Sequence, residues 1–325
     1  MATIFITGGT GLLGNNVIRL AVQSGHRVTA LARQPDTASL RGLPIETIAG
    51  DLSDAEAIRR GVEGCDAIFH SAAHIHIGWK RRGEAMEVNR DGTQRVVDAA
   101  AAAGKPLVHV STVNVLAIGQ KDRPSDEDTP GDGQVASTYV VSKRAAESVV
   151  RRAIDGGLAA TIVYPGFMLG PWDWKPSSGK MIAELSKRFT PMTPAGGCSV
   201  CDVRDVAAAI LKIIETQSYG RRYILAGRNM TYLELWRAMA TAIGKRGPLT
   251  ILRRPGQVVV GRFTDMVLGR GEDESEMNSA AIAMGSQFHY YDSSRAQTEL
   301  GYQTRPFEHS LGDAVAWLRG HGKLG

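Results

Sequence analysis

"TGGTGLLG", residues 7–14, decides how the rest of the chain is read. It continues the apolar run "TIFITG" (residues 3–8) and passes directly into an amphipathic stretch. A strand that turns through glycines into a helix is the context in which such a pattern carries meaning. The glycines fit two registers, Gly9-Gly11-Gly14 or Gly8-Gly11-Gly14, with the same physical sense. A tight turn needs permissive dihedrals, and a pyrophosphate needs backbone close by with no Cβ in between. The helix start at Leu12 and Leu13 then offers N–H groups and partial positive charge to an anion. The stretch predicts a strand–turn–helix unit that holds a dinucleotide.

Outward from this unit the first half alternates β-branched runs with helical stretches. "HRVTALA" (26–32), "IETIAG" (45–50), "DAIFHSA" (66–72) and "PLVHVST" (106–112) read as strands. Between two of them, the alanines at 99–103 favour a helix that Gly104 would cap. Strands in series with helices predict an α/β fold with a doubly wound parallel sheet, a Rossmann fold. After residue 166 come Pro/Gly-rich loops, "PWDWKPSSG" (171–179) and "FTPMTPAGG" (189–197). "CDVRDVAAAILKIIE" (201–215) then reads as a helix and "RRYILAG" (221–227) as a strand. The expected division is a dinucleotide-binding part, 1–166 with 197–227, and a smaller, mainly C-terminal substrate-binding part, 167–196 with 228–325. Residues 256–288 carry no legible pattern, and the acidic "GEDESE" (271–276) reads as solvated loop or helix end.

Composition narrows the function classes. With 43% hydrophobic and 22% charged residues, the 325-residue chain has the make-up of an ordinary globular protein. No apolar run reaches the ~18 residues that a membrane span needs. "MATIFITGG" has no basic leader or cleavage site, which predicts a cytoplasmic protein with no membrane partner. The net charge of +5 comes from arginine pairs scattered among acids, so no nucleic-acid partner is expected. Three cysteines, Cys65, Cys198 and Cys201, do not make a disulfide framework. Cys198 and Cys201 form one C-x-x-C pair, but a structural zinc site needs two more ligands. His74 and His76 lack a third ligand too, so no metal is expected.

Two further stretches carry chemistry. The second strand ends "ALARQPD", with Arg33 where an acidic residue would hold a ribose 2′-hydroxyl. A guanidinium there suits a 2′-phosphate, which predicts NADP(H) over NAD(H). Asp36 falls beyond Pro35, too late to take the discriminating place. Asp51 and Leu52, after the third strand, are placed to meet the adenine. "STYVVSKRAAE" (137–147) puts Tyr139 and Lys143 one helical turn apart on one face.

"TGGTGLLG", "GDLSD" (50–54), "FHSAA" (69–73), "VNRDGT" (88–93), "VST" (110–112), "YVVSK" and "YPGFMLGPWD" (164–173) occur in that order. Together they resemble the extended short-chain dehydrogenase/reductases over nearly the whole chain, and most closely the dihydroflavonol-reductase-like branch. The resemblance implies that Tyr139 is the general acid/base. It implies that Lys143 lowers the pKa of Tyr139 and binds the nicotinamide ribose. Thr112 stands where the family has a serine, to hold the carbonyl oxygen, with Ser111 as the weaker candidate. Asn89 matches a family asparagine with a structural or proton-relay role. Gly8, Gly11, Leu12, Leu13 and Gly14, with Ser71, Ala72, Ala73, Tyr164 and Pro165, would complete the cofactor site. His76, Gly166, Trp172 and Trp174 would join Thr112 and Tyr139 on the substrate side. A homodimer through the Tyr139 helix is also implied.

Three readings compete on this resemblance: a carbonyl reductase, a nucleotide-sugar epimerase or dehydratase, and a non-catalytic relative that binds the cofactor. A sugar dehydratase would follow Thr112 with an Asp-Glu pair, whereas this chain has Val113 and Asn114. A nucleotide-sugar epimerase with tightly held NAD would show V-Y-G next, and this chain has Val115, Leu116 and Ala117. A non-catalytic, cofactor-sensing relative would lose the Tyr/Lys pair that is kept here. The aliphatic residues and the two tryptophans point to an apolar or aromatic carbonyl substrate and to an NADP(H)-dependent reductase.

Overall fold

The computed structural model describes residues 1–131, 135–252 and 278–325. The acidic run 271–276, and most of the stretch without a legible pattern, lie outside these residues.

The first strand, β1 (Thr3–Thr7), is buried along its whole length and leads through the glycine turn into α1 (Leu12–Gln23). Then follow β2 (Arg27–Ala32), β3 (Glu46–Ala49), α2 (Ala55–Glu63) and β4 (Ala67–His70). Next come α3 (Arg82–Met86), a π turn (Glu87–Asp91), α4 (Gly92–Ala103) and β5 (Leu107–Val110). Gly104 ends α4 in the left-handed conformation, as its place after the alanine run predicts. The catalytic-motif helix α5 (Thr138–Asp155) leads to β6 (Ala160–Pro165), and α7 (Val203–Thr216) precedes β10 (Arg222–Leu225). These strands form one sheet in the order β3-β2-β1-β4-β5-β6-β10, with every pair parallel. Helices cover both faces, so β1, β4 and β6 are buried along their whole length, whereas β3 at the edge is largely exposed. One core packs β1 and its neighbours against α1 and α7. The other packs Phe5, Ile68 and Ile162 against α2, α4 and α5.

The smaller part is built on a second sheet. β7 (Phe167–Leu169), β11 (Arg228–Thr231) and β13 (Phe288–His289) all pair with β9 (Gly197–Asp202). A further pair joins β8 (Met192–Thr193) to β12 (Thr250–Ile251). Helices α6 (Gly179–Lys187), α8 (Tyr232–Ala242), α9 (Ser279–Gly285), α10 (Ser294–Leu300) and α11 (Phe307–Gly320) complete the described residues. Two elements cross the boundary drawn from the sequence. β9 belongs to the second sheet, although its residues were read with the dinucleotide-binding part. Ala296, Leu300 and Tyr302, read with the substrate part, pack in the α1/α7 core. Sequence texture reports local period, and neither assignment is a local property.

Candidate functional site

The chain order reverses between β1 and β4, and in an open parallel sheet the crevice beyond the strand ends at that point takes the ligand. Gly8 sits there with φ +80, and a Cβ on it would lie 2.6 Å from the Ala72 nitrogen. A Cβ on Gly14 would lie 2.2 Å from the Gly8 carbonyl oxygen. The Gly8-Gly11-Gly14 register is therefore the one under backbone constraint. At Gly9 the nearest atom is the mobile end of Ile18. Leu12 and Leu13 pack in the core, and α1 starts from Gly11 with no side-chain cap. The first amides of α1 are thus directed at the crevice, and a dinucleotide pyrophosphate fits this cradle.

Opposite the turn, Ser71 donates its hydroxyl to the Thr7 carbonyl at 2.9 Å, and Ala72 and Ala73 continue half-buried beside it. Arg33 is exposed at the end of β2. Asp51 is held below the usual carboxylate range, chiefly by bonds from Ser53, with Arg33 and Arg95 adding to the effect. Leu52 is buried, and its carbonyl accepts from Arg95 at 3.0 Å. Asp36 pairs with Arg41 at 3.1 Å.

Tyr139 and Lys143 sit at the start of α5, capped by Ser137, whose hydroxyl accepts from the Val140 amide. Tyr139 is half-buried, with the Thr112 side chain acting on its phenol. Burial pushes the phenol up, and the neighbouring Thr112 hydroxyl pulls it part of the way back. Burial and Thr112, and not Lys143, are the groups that act on the Tyr139 phenol here. The Lys143 ammonium is engaged elsewhere, donating to the Val110 carbonyl at 2.6 Å. Burial lowers Lys143 to about 8, and Glu147 opposes the shift. Ser111 gives its hydroxyl to Glu147 at 2.7 Å, which leaves Thr112 as the hydroxyl beside Tyr139.

Asn89 is 1% exposed and every polar atom of its side chain is engaged. Its Oδ1 accepts from the His74 amide at 2.7 Å, and its Nδ2 donates to the His74 carbonyl and to Ser142, each at 2.9 Å. It ties the segment after β4 to α5 and acts as a positioning residue. The π turn delivers it there, a frequent use of such turns. The same segment is fixed from the other side, since the Tyr139 and Thr138 amides donate to the carbonyls of His76 and Gly78. Gly166 is required by close approach, because a Cβ there would lie 2.5 Å from the Ser199 carbonyl oxygen. Pro165 ends β6 beside it.

Three readings of side chains are corrected. The Tyr164 ring is fully buried, its hydroxyl donating to Glu147 at 2.9 Å, so only its backbone is left for a cofactor. Trp172 and Trp174 stack on each other and pack on Trp317, with the Arg19 guanidinium 3.4 Å over the Trp172 ring. Packing between the second part and α1 accounts for both. Val115, Leu116 and Ala117 are buried, so their apolar character serves the core and says nothing of a substrate.

The structure adds residues that the sequence reading passed over. Glu147 lies one turn beyond Lys143, a four-residue step that the Tyr139-Lys143 spacing already announces, and is held by Ser111, Tyr164 and Arg151. His70 bridges the hydroxyls of Thr7 and Thr93 at 2.6 and 2.9 Å, and burial lowers it to about 3, so it is neutral. Cys65, Cys198 and Cys201 are buried and free. Among the described residues no cluster of metal-binding side chains occurs and no helix is long and apolar enough to cross a membrane.

Known proteins share this arrangement. The model of the NAD dependent epimerase/dehydratase family matches residues 4–226. A Synechocystis protein with a provisional dihydroflavonol 4-reductase name is 31% identical, over 98% of this chain and 95% of its own. Sterol demethylase protein B of Methylococcus capsulatus is 30% identical, over 99% and 100%. The crystal structure of gox2253 superposes with a TM-score of 0.87 at 31% identity, covering 99% of both chains. With the glycine cradle at the sheet's reversal point and Thr112, Tyr139 and Lys143 gathered beside it, the chain belongs to the NAD-dependent epimerase/dehydratase family, the extended short-chain dehydrogenase/reductases.

Proposed function

We propose that the protein is an NADP(H)-dependent oxidoreductase that interconverts a ketone or aldehyde with its alcohol on a largely apolar substrate. The observation that carries this reading is Tyr139 on α5, one helical turn from a buried Lys143 and next to the Thr112 side chain that acts on its phenol. A bound nicotinamide dinucleotide supplies the hydride in reduction and accepts it in oxidation. Tyr139, held protonated by burial, is a ready proton donor to a carbonyl oxygen, and the Thr112 hydroxyl holds the same oxygen. Lys143 keeps its charge between the Val110 carbonyl and Glu147, where it presents an ammonium to a ribose hydroxyl. Arg33 at the end of β2 supports NADP(H), since its charge suits a 2′-phosphate.

The apolar character of the substrate is supported by the segment after β4. Its residues alternate, with His74 and His76 half-buried while Ile75, Ile77 and Trp79 are 62%, 38% and 47% exposed. Large apolar side chains held in water beside a catalytic helix are the kind that close over a hydrophobic ligand. A relative named for sterols and another named for a flavonol are consistent with such a ligand.

The test combines cofactor content with turnover. Purified protein that binds NADPH reversibly, and consumes it with bulky apolar ketones, supports the reading. Stoichiometric NAD that does not exchange, with no NADPH consumption, would sink it and turn the search to epimerisation of a nucleotide sugar.

A further inference from the structure

A cavity of about 290 Å³ opens between the glycine turn and the C-terminal end of the chain. One wall is Thr10, within the turn, and Thr37–Ser39, the loop that follows Arg33. The opposite wall comes from the second part of the molecule: Trp174, Lys175, His321 and Lys323. A dinucleotide held on this turn has its adenosine ribose between the turn and the end of β2, the region where this cavity lies.

The cationic wall is built rather than incidental. The loop bearing Lys175 is fastened to α1, where Asn16 donates to the Pro171 carbonyl at 3.0 Å and Arg19 covers Trp172. His321 stacks on Trp317 at 4.1 Å between ring centroids and donates its Nδ1 proton to the Trp317 carbonyl at 2.8 Å. The Lys323 amide is bonded to the Leu318 carbonyl, and the Gly325 amide to Ser186, so the chain end does not trail free. Among the described residues no carboxylate lines the cavity, and neither Lys175 nor Lys323 is in an ion pair.

We propose that Lys175 and Lys323 bind the 2′-phosphate of the cofactor's adenosine from the side opposite Arg33, so that the second part of the molecule completes the cofactor site. The inference rests on the NADP(H) reading above and adds two residues far from Arg33 in sequence. Its consequence is that discrimination between the two nicotinamide cofactors is shared between both parts of the chain.

The experiment is calorimetric titration of the full-length protein with adenosine 2′,5′-bisphosphate, AMP and inorganic phosphate. Wild type is compared with K175A/K323A and with the charge-retaining K175R/K323R, each checked for unchanged thermal unfolding. Wild type should prefer the bisphosphate to AMP. The double alanine variant should lose roughly tenfold in bisphosphate affinity, the scale of one charge-assisted bond, with AMP unchanged. The arginine variant should keep the preference. A double alanine variant with full preference would overturn the inference and leave the NADP(H) reading standing on Arg33. A wild type that binds bisphosphate and AMP equally would overturn both. Inorganic phosphate that binds wild type as tightly as the bisphosphate, and is lost in the alanine variant, would mark a free-anion site and overturn the assignment to the cofactor.

Discussion

The Lys143 ammonium donates to the Val110 carbonyl at 2.6 Å, and the next residue, Ser111, gives its hydroxyl to Glu147, one turn beyond Lys143 on the same helix. The end of β5 and the face of α5 are thereby laced together, and the lysine is fixed before any ligand arrives. That position is costly, because Lys143 is 4% exposed and burial lowers it from 10.5 to about 8. Between those two values the unfolded chain binds more protons than the folded one, so stability rises with pH. Below pH 8 the folded state bears the whole penalty, about 3 kcal/mol.

Lys143→Met should therefore abolish turnover without lowering stability at pH 7. Its advantage over wild type should shrink as pH rises from 8 towards 10. Urea unfolding of both proteins at pH 7, 8.5 and 10 checks this. A difference that stays constant across the range would show that Lys143 is not a lowered group.

On the proposed function Tyr139 delivers the proton and Thr112 positions the oxygen, so their variants should separate. Tyr139→Phe should lower turnover by about 10²–10⁴-fold and leave the NADPH dissociation constant within about threefold. Thr112→Val should cost about 10²–10³-fold in kcat, and Thr112→Ser should restore most of it. Because burial raises the phenol, reduction should be flat from pH 6 to 8, whereas oxidation should quicken as pH rises. Steady-state rates in both directions test these outcomes, and equal rates for the Val and Ser variants would remove Thr112 from the site.

Every polar atom of the Asn89 side chain is engaged, so its substitution should act through the backbone it holds. Asn89→Ala leaves the His74 amide and carbonyl and the Ser142 hydroxyl without their partner. The cost should be about 2–4 kcal/mol, the sum of several buried bonds. Asn89→Asp should fare no better, since a carboxylate cannot supply the two donated bonds. Chemical unfolding measures the loss. An unchanged midpoint would mean that the segment after β4 is held by the Tyr139 and Thr138 amides alone.

The glycine turn distinguishes its two registers. Gly14→Ala forces a Cβ onto the Gly8 carbonyl at 2.2 Å, whereas Gly9→Ala meets only the tip of Ile18 at 2.6 Å. NADPH affinity should fall at least about tenfold for Gly14→Ala and much less for Gly9→Ala, with Gly14→Ala also destabilised by about 1–3 kcal/mol. Equal losses in fluorescence titrations would contradict the Gly8-Gly11-Gly14 assignment.

What was legible in the sequence was local or periodic. Six of the seven strands of the main sheet, the Gly104 cap and the Tyr139-Lys143 spacing are all written in neighbouring residues. Side-chain destinations were not. Tyr164 is the last residue but one of a strand whose residues face alternate sides, and its ring points inward to Glu147. Trp172 and Trp174 looked like substrate contacts because they sit in a Pro/Gly-rich loop, yet their partners Arg19 and Trp317 lie about 150 residues away on either side. The second sheet escaped for the same reason, since β9 finds its partners β7, β11 and β13 at long separations in the chain.

The π turn at 87–91 carries one residue more than an α-helix would need between α3 and α4. Its presence makes the length of this helix a functional quantity. Removing a single residue there would restore regular winding, a change that helix propensity alone would welcome. It would also close the wide turn that carries Asn89, because that turn is where the extra residue is taken up. The asparagine would leave its three partners while the composition of the chain stayed almost the same. This chain can therefore tolerate many changes of residue type along α4 more readily than one change of count.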